Sequence, residues 1–349
     1  MQHSPRGHAT VAAALTLALC LGMSACGTQE SPQSATPQSA ATASNAPATD
    51  ATTTTGWPRT VKSDKGDVTL EAQPQRIVST SPTLTGPLLA VGAPVIATAA
   101  TKPNTDVSDD QGFFSQWGPI AKERGVKVAY DTAAPSAEKV AALQPDLIVV
   151  AATGGDSALD LYNQLAKIAP TIVINGSNKS WLEVTEQLGQ ATGHEDKAAE
   201  VKKAYETRLQ EVKAKIKLPE GTVSPFVNFD DGSGAAAFTP QSAHGRLLTD
   251  LGFTLAPIPE SVTGTTSMGK RDDIVELSTE NVVKGLAGDT WIVFAPGAKT
   301  KEVITTNPAY NAAPAVKKGQ VVYMGPETFR LDYYAAMACL DQLEKHFAQ

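Results

Sequence analysis

The sequence predicts an α/β fold of two lobes, each built on a mainly parallel sheet, joined by one long helix with a ligand cleft between them. Three observations carry that reading. From Trp57 onward short β-branched runs alternate with helical patterns, one long amphipathic stretch divides two such series, and one phrase recurs in both halves. Expected strands of the first series are Arg76 to Thr80, Pro94 to Thr98, Lys127 to Tyr130, Asp146 to Ala151 and Thr171 to Ile174. Glu195 to Lys217 then sets Ala198, Val201, Tyr205, Leu209, Val212 and Ile216 on one stripe, the pattern of an amphipathic helix, and Leu218-Pro219 ends it. The second series comprises Ser224 to Asn228, Phe253 to Ala256, Thr290 to Ala295 and Gln320 to Met324.

The repeated phrase is Ser136-Ala137-Glu138-Lys139-Val140, leading to Asp146 and Leu147-Ile148-Val149-Val150-Ala151. Its echo is Ser278-Thr279-Glu280-Asn281-Val282, leading to Asp289 and Trp291-Ile292-Val293-Phe294-Ala295. In each copy the serine is placed to cap a helix, the glutamate meets the positive N-terminal end of that helix, and a strand follows.

The amino-terminal region precedes any fold. Arg6 lies in an acid-free start, and Val11 to Ala25 form an uncharged, mostly apolar run of fifteen residues, short for a membrane span and typical of a cleaved secretory signal. Met23-Ser24-Ala25-Cys26 reads as a lipobox, with Cys26 as the lipidated residue. Gly27 to Gly56 holds no large apolar residue and only Glu30 and Asp50 as charges, so it cannot bury a core. As a flexible coil it reaches roughly 30 Å, a tether between anchor and domain. The expected organisation is therefore a signal peptide at 1–25, a lipidated tether at 26–56, an N-terminal lobe at 57–194, the linking helix at 195–217 and a C-terminal lobe at 218–349. With Cys20 removed and Cys26 acylated, Cys339 is the only remaining thiol; Ala336, Leu340, Leu343 and Phe347 around it at helical spacing mark it as a buried apolar residue.

Composition excludes several classes. The 349 residues are 42% hydrophobic and carry 29 basic against 36 acidic side chains, a net charge of −7 with no basic stripe for nucleic acid. Thr153-Gly154-Gly155-Asp156-Ser157 follows a strand but lacks the GK[ST] of a phosphate loop, and neither a G-x-S-x-G elbow nor an H-E-x-x-H pair occurs. Of five histidines only His194 and His244 fall in the body, too few for a histidine-built metal site, and His194 sits in a turn as a solvated residue. A binding protein, not an enzyme, is the reading; an extracellular α/β hydrolase is the distant alternative.

Several stretches together carry a family resemblance: Gln75-Arg76-Ile77-Val78-Ser79-Thr80-Ser81 with Thr83-Leu84-Thr85-Gly86, Asp109-Asp110-Gln111-Gly112-Phe113, Ala121-Lys122-Glu123-Arg124, Ala152-Thr153-Gly154-Gly155-Asp156-Ser157-Ala158-Leu159, Gly269-Lys270-Arg271, and Glu327-Thr328-Phe329-Arg330-Leu331-Asp332-Tyr333-Tyr334. The chain resembles the periplasmic-binding-protein-like substrate-binding lipoproteins of ABC importers for iron siderophores and cobalamin, most of all the ferric-enterobactin-binding branch. That resemblance implies a ferric catecholate siderophore as ligand, with no cofactor and no protein-held metal, because six siderophore oxygens already surround the iron. It implies delivery to an ABC permease dimer by a monomer lipid-anchored at Cys26 on the outer face of the cytoplasmic membrane; the long tether favours a single-membrane envelope. The linking helix implies small lobe motion. Cobalamin or a hydroxamate siderophore is the nearer alternative ligand.

The same resemblance assigns residues. Arg330 matches the family's ligand-binding arginine, Phe238 stands where the family presents tryptophan, and Glu138 and Glu280 match the acids that meet permease arginines. The family's third cation aligns with Asp106 here, a departure that Lys102 would have to offset. Arg271, beside Lys270, is a further cleft-lining candidate, and Asp109 and Asp110 read as turn-forming.

Overall fold

The computed structural model describes residues 56–177, 179–263 and 271–349. The proposed signal, Cys26 and nearly all of the tether, and Lys270, lie outside the described residues. Two short antiparallel strands, β1 (Arg59–Val61) and β2 (Val68–Leu70), open the fold. The first lobe is then built on β3 (Ile77–Ser79), β4 (Val95–Ala100), β5 (Lys127–Asp131), β6 (Leu147–Ala151) and β7 (Thr171–Ile174), in the order β5-β4-β3-β6-β7 and parallel throughout. Every residue of β6 and β7 is buried, as expected where helices cover both faces of a parallel sheet.

The second sheet comprises β8 (Val223–Asn228), β9 (Gly234–Phe238), β10 (Ile274–Ser278), β11 (Thr290–Val293) and β12 (Val321–Tyr323), ordered β10-β9-β8-β11-β12. β8, β11 and β12 are parallel, whereas β9 runs antiparallel to both β8 and β10. β9 reads Gly-Ala-Ala-Ala-Phe, a composition of low strand propensity that hides it in the sequence. Its small residues permit close approach: Gly234 has φ +146°, and a Cβ there would stand 1.9 Å from the Leu277 carbonyl oxygen of β10. The strand expected at Phe253 to Ala256 is only an edge contact. Leu255 makes one parallel bridge to Val223, and Pro257 and Pro259 supply no N–H to continue a ladder.

Between the sheets run two successive helices. Trp181–Thr192 starts in a Ser180/Glu183 capping box and ends at left-handed Gly193, and Glu195–Lys215 follows. The second helix stops two residues short of expectation because Ile216 pairs with Ala348 and the Lys217 N–H donates to the Phe347 carbonyl at 2.7 Å. Ala198, Val201, Tyr205, Leu209 and Val212 are buried along it, as the stripe requires. The C-terminal helix Tyr333–Phe347 packs alongside, tied by Arg208 to Asp341 and Glu344, each at 2.6 Å, with Cys339 fully buried in the shared core. Burial pushes the Cys339 thiol well up, away from the reactive thiolate.

The N-terminus of that C-terminal helix also meets the first lobe. Asp332 caps it by accepting from the Ala335 N–H at 2.9 Å, and a Cβ on Gly86 would stand only 2.0 Å from Asp332 Oδ2. Gln116 Nε2 donates to the Arg330 carbonyl at 3.2 Å. The lobes are therefore joined along a seam of helices rather than by the linking helix alone. Burial pushes the Asp332 carboxyl up to about 7, above its ordinary 3.8. The folded state thus holds that proton more tightly than the unfolded chain. The stabilisation this gives is full below about pH 4 and is lost as pH rises through 7. Asp332→Asn keeps the cap and cannot ionise; relative to the parent it should gain on the order of 1–3 kcal/mol between pH 4 and pH 8 in chemical denaturation. A pH-independent difference would show that Asp332 is charged throughout.

Candidate binding cleft

The carboxyl ends of the parallel strands of both sheets face one cavity of about 310 Å³, the usual place for a ligand in α/β sheets. From the first lobe come Ala151 and Ile174 at the ends of β6 and β7, Thr83 at the start of helix Pro82–Ala90, and Asp156 in the loop after β6. The second lobe supplies Phe229 after β8, Phe238 at the end of β9, His244 in helix Ala243–Leu251, and the segments around Arg271 and Arg330.

Arg330 is the chemically distinctive group. Its guanidinium carbon lies 5.0 Å over the Phe329 ring, and its Nε is buried with no hydrogen-bond partner. Among the described residues it forms no ion pair: Glu327 is taken by Gln342 at 2.5 Å, and Asp332 caps its own helix. Burial lowers the guanidinium from its usual value; an arginine side chain keeps its charge in proteins. Arg271 also lines the cavity but forks onto Asp273, Nε to Oδ1 at 2.8 Å and Nη2 to Oδ2 at 2.5 Å. Its charge is already balanced.

Phe238 presents a ring stacked on His244, centroids 4.1 Å apart and planes within 14°. His244 is buried, contacts Phe294 edge-on, and joins Nε2 to the Thr328 carbonyl at 2.8 Å. Burial first, with the nearby Arg330 charge, lowers its pKa to about 4, so the imidazole is neutral and acts as the backing of the aromatic wall. Sequence reasoning missed His244, which carries no motif, and Asp156, which was visible only as part of a glycine-rich stretch. Asp156 Oδ2 accepts from Ser81 Oγ at 2.5 Å and from the Thr83 N–H at 3.2 Å, so it both caps Pro82–Ala90 and borders the cavity.

The other sequence candidates lie elsewhere. Lys102 is exposed in its loop and is not among the lining residues; Asp106, four residues on, lines a second, adjoining cavity. Glu138 and Glu280 are both exposed. They precede β6 and β11, which hold the same place in the two sheet orders, each between a central strand and an edge strand. The local structure differs: Ser136 caps a helix through its Oγ at 3.2 Å from the Lys139 N–H, but Ser278 makes no such cap and Glu280 sits in a single 3₁₀ turn. Asp109 accepts from the Gln111 and Phe113 N–H groups at 2.8 and 2.9 Å and meets Lys122 at 2.9 Å, a turn-forming role. No group of three His, Cys, Asp or Glu among the described residues is placed to hold a metal ion.

Residues 77–328 match the family model described as periplasmic binding protein. The chain belongs to that family. It is 50% identical over 291 residues, covering 83% of this chain and 91% of the relative, to the ferric enterobactin-binding periplasmic protein FepB of Escherichia coli. The petrobactin-binding protein YclQ of Bacillus subtilis is 29% identical over 202 residues, 56% of this chain and 60% of that one. Among solved structures, the crystal structure of holo-ViuP superposes with a TM-score of 0.76 at 32% identity, covering 84% of this chain and 96% of that one. The family consists of binding proteins, and this chain is a substrate-binding component, not an enzyme.

Phe238→Ala should open His244 to the cavity. By nuclear magnetic resonance, the His244 titration midpoint is expected to rise from about 4 by about one unit or more toward its ordinary value. An unmoved midpoint would mean that Phe238 does not seal the imidazole.

Proposed function

We propose that this protein captures a ferric catecholate siderophore of the enterobactin type outside the cytoplasmic membrane and delivers it to an ABC importer. The observation that carries the reading is Arg330, a cation without an ion-pair partner among the described residues, set beside aromatic faces in a cavity lined by both lobes. The close similarity to FepB supports the same reading.

The chemistry follows from the ligand. A tris-catecholate surrounds its iron with six oxygens and carries a charge of about −3, so the protein has no coordination bond to form and must supply donors and faces. The Arg330 fork donates to catecholate oxygens in a charge-assisted bond worth roughly 1.5–3 kcal/mol. Phe238 and Phe329 offer ring faces to the catechols. Arg271 is held by Asp273 and contributes chiefly by shaping the wall, and Lys102 reaches the ligand only if its loop folds inward. Anchoring through lipid at Cys26 would keep the domain within tether reach of the permease, and Glu138 and Glu280, one on each lobe, would engage its two subunits.

Arg330→Ala is expected to weaken ferric enterobactin binding by about tenfold or more, with Arg330→Lys between the two; calorimetry on the purified chain measures it. Equal affinities would overturn the assignment. Glu138→Ala and Glu280→Ala should leave that affinity unchanged and reduce uptake of iron-59 as ferric enterobactin in cells; a matching loss of affinity in solution would remove them from the permease interface.

A further inference from the structure

Arg330 is not the only charge on the wall of the principal cavity that faces the other lobe. Asp156, half-buried in the loop after β6, lines the same cavity from the first lobe. The two make no ion pair. They nevertheless feel each other: burial lowers the Arg330 guanidinium most, and the attraction of Asp156 is the foremost effect opposing it.

Capping does not account for the charge of Asp156. Its Oδ2 accepts from Ser81 Oγ at 2.5 Å and from the Thr83 N–H at 3.2 Å, two bonds that an uncharged side-chain oxygen would accept as well. Ser81 already caps helix Pro82–Ala90 itself, its Oγ lying 3.4 Å from the Leu84 N–H. On its other side the carboxylate is backed by Gly154, whose φ of +101° turns the loop so that a Cβ there would stand 3.0 Å from Asp156 Oδ1. Asp156 is thus held on the first-lobe wall, short of Arg330.

The effect of such a fixed carboxylate depends on the charge of what enters. In the empty cleft it steadies Arg330. A ferric tris-catecholate of charge about −3 placed against Arg330 also faces Asp156, and like charges in a partly desolvated cavity repel more than they do in water. An uncharged complex meets no such opposition.

We propose that Asp156 is a specificity-determining residue of the cleft: its charge opposes that of the ligand, holding affinity for anionic ferric complexes below what Arg330 and the aromatic faces alone would give, and narrowing the preference for them over uncharged ones. This rests on the catecholate reading above.

The test is calorimetry on the purified chain with two probes, ferric enterobactin and the uncharged ferric hydroxamate ferrichrome. Asp156→Asn and Asp156→Ser remove the charge and keep an oxygen for Ser81 and Thr83. Both should bind ferric enterobactin about three- to tenfold more tightly than the parent, with the gain shrinking as salt rises. A gain of affinity is a result that loss of a merely structural contact would not produce. Asp156→Glu keeps the charge and should show no gain, and ferrichrome should show none with any variant. Equal or weaker binding of ferric enterobactin by both neutral variants, or the same gain with Asp156→Glu or with ferrichrome, would overturn the role of Asp156 and leave catecholate capture standing. Absence of ferric enterobactin binding by the parent would overturn both.

Discussion

A cation kept without an ion-pair partner among the described residues, in a half-buried cleft, is the constraint around which this fold is arranged, because such a group persists only where its backbone cannot swing it back into water or onto a carboxylate. The segment Thr328–Asp332 meets that requirement by being fastened at alternate residues. The Thr328 carbonyl is held by His244, the Thr328 hydroxyl by the Ala295 N–H, the Arg330 carbonyl by Gln116, and Asp332 by its helix cap. The fastenings come from both lobes. One stretch of chain thus fixes the cleft's principal charge and the relative placement of its walls.

Charge bookkeeping within the cleft explains why Arg271 and Arg330 differ. Both line the same cavity, but Arg271 sits two residues from Asp273 and closes a local fork with it, whereas the nearest acids in sequence to Arg330 are engaged elsewhere. Sequence proximity alone would have paired either arginine. The outcome depends on which carboxylates find better partners first.

The lobed α/β plan was legible because β3, β4, β6, β7 and β11 are runs of β-branched and apolar residues separated by helical periods, and the linking helix carries an uninterrupted stripe. The alanine strand β9 was not, since its reason for being extended is the proximity of β10 rather than its own propensity. Likewise Arg330 and Phe238 were found through the family resemblance, while His244 and Asp156 gain their places from tertiary burial and capping that no local pattern records. The seam at Asp332 was invisible for the same reason: Gly86, Gln116 and Asp332 are far apart in the chain and meet only when the lobes do.

The helical seam has a mechanical consequence. Arg208 and Lys215 bridge the Glu195–Lys215 helix to Asp341 and Glu344 of the C-terminal helix, and the N-terminus of that helix is seated against Gly86 and Gln116 of the first lobe. The walls of the cleft therefore share one backing, and any movement that parts them is work done against packed helices rather than against a flexible hinge.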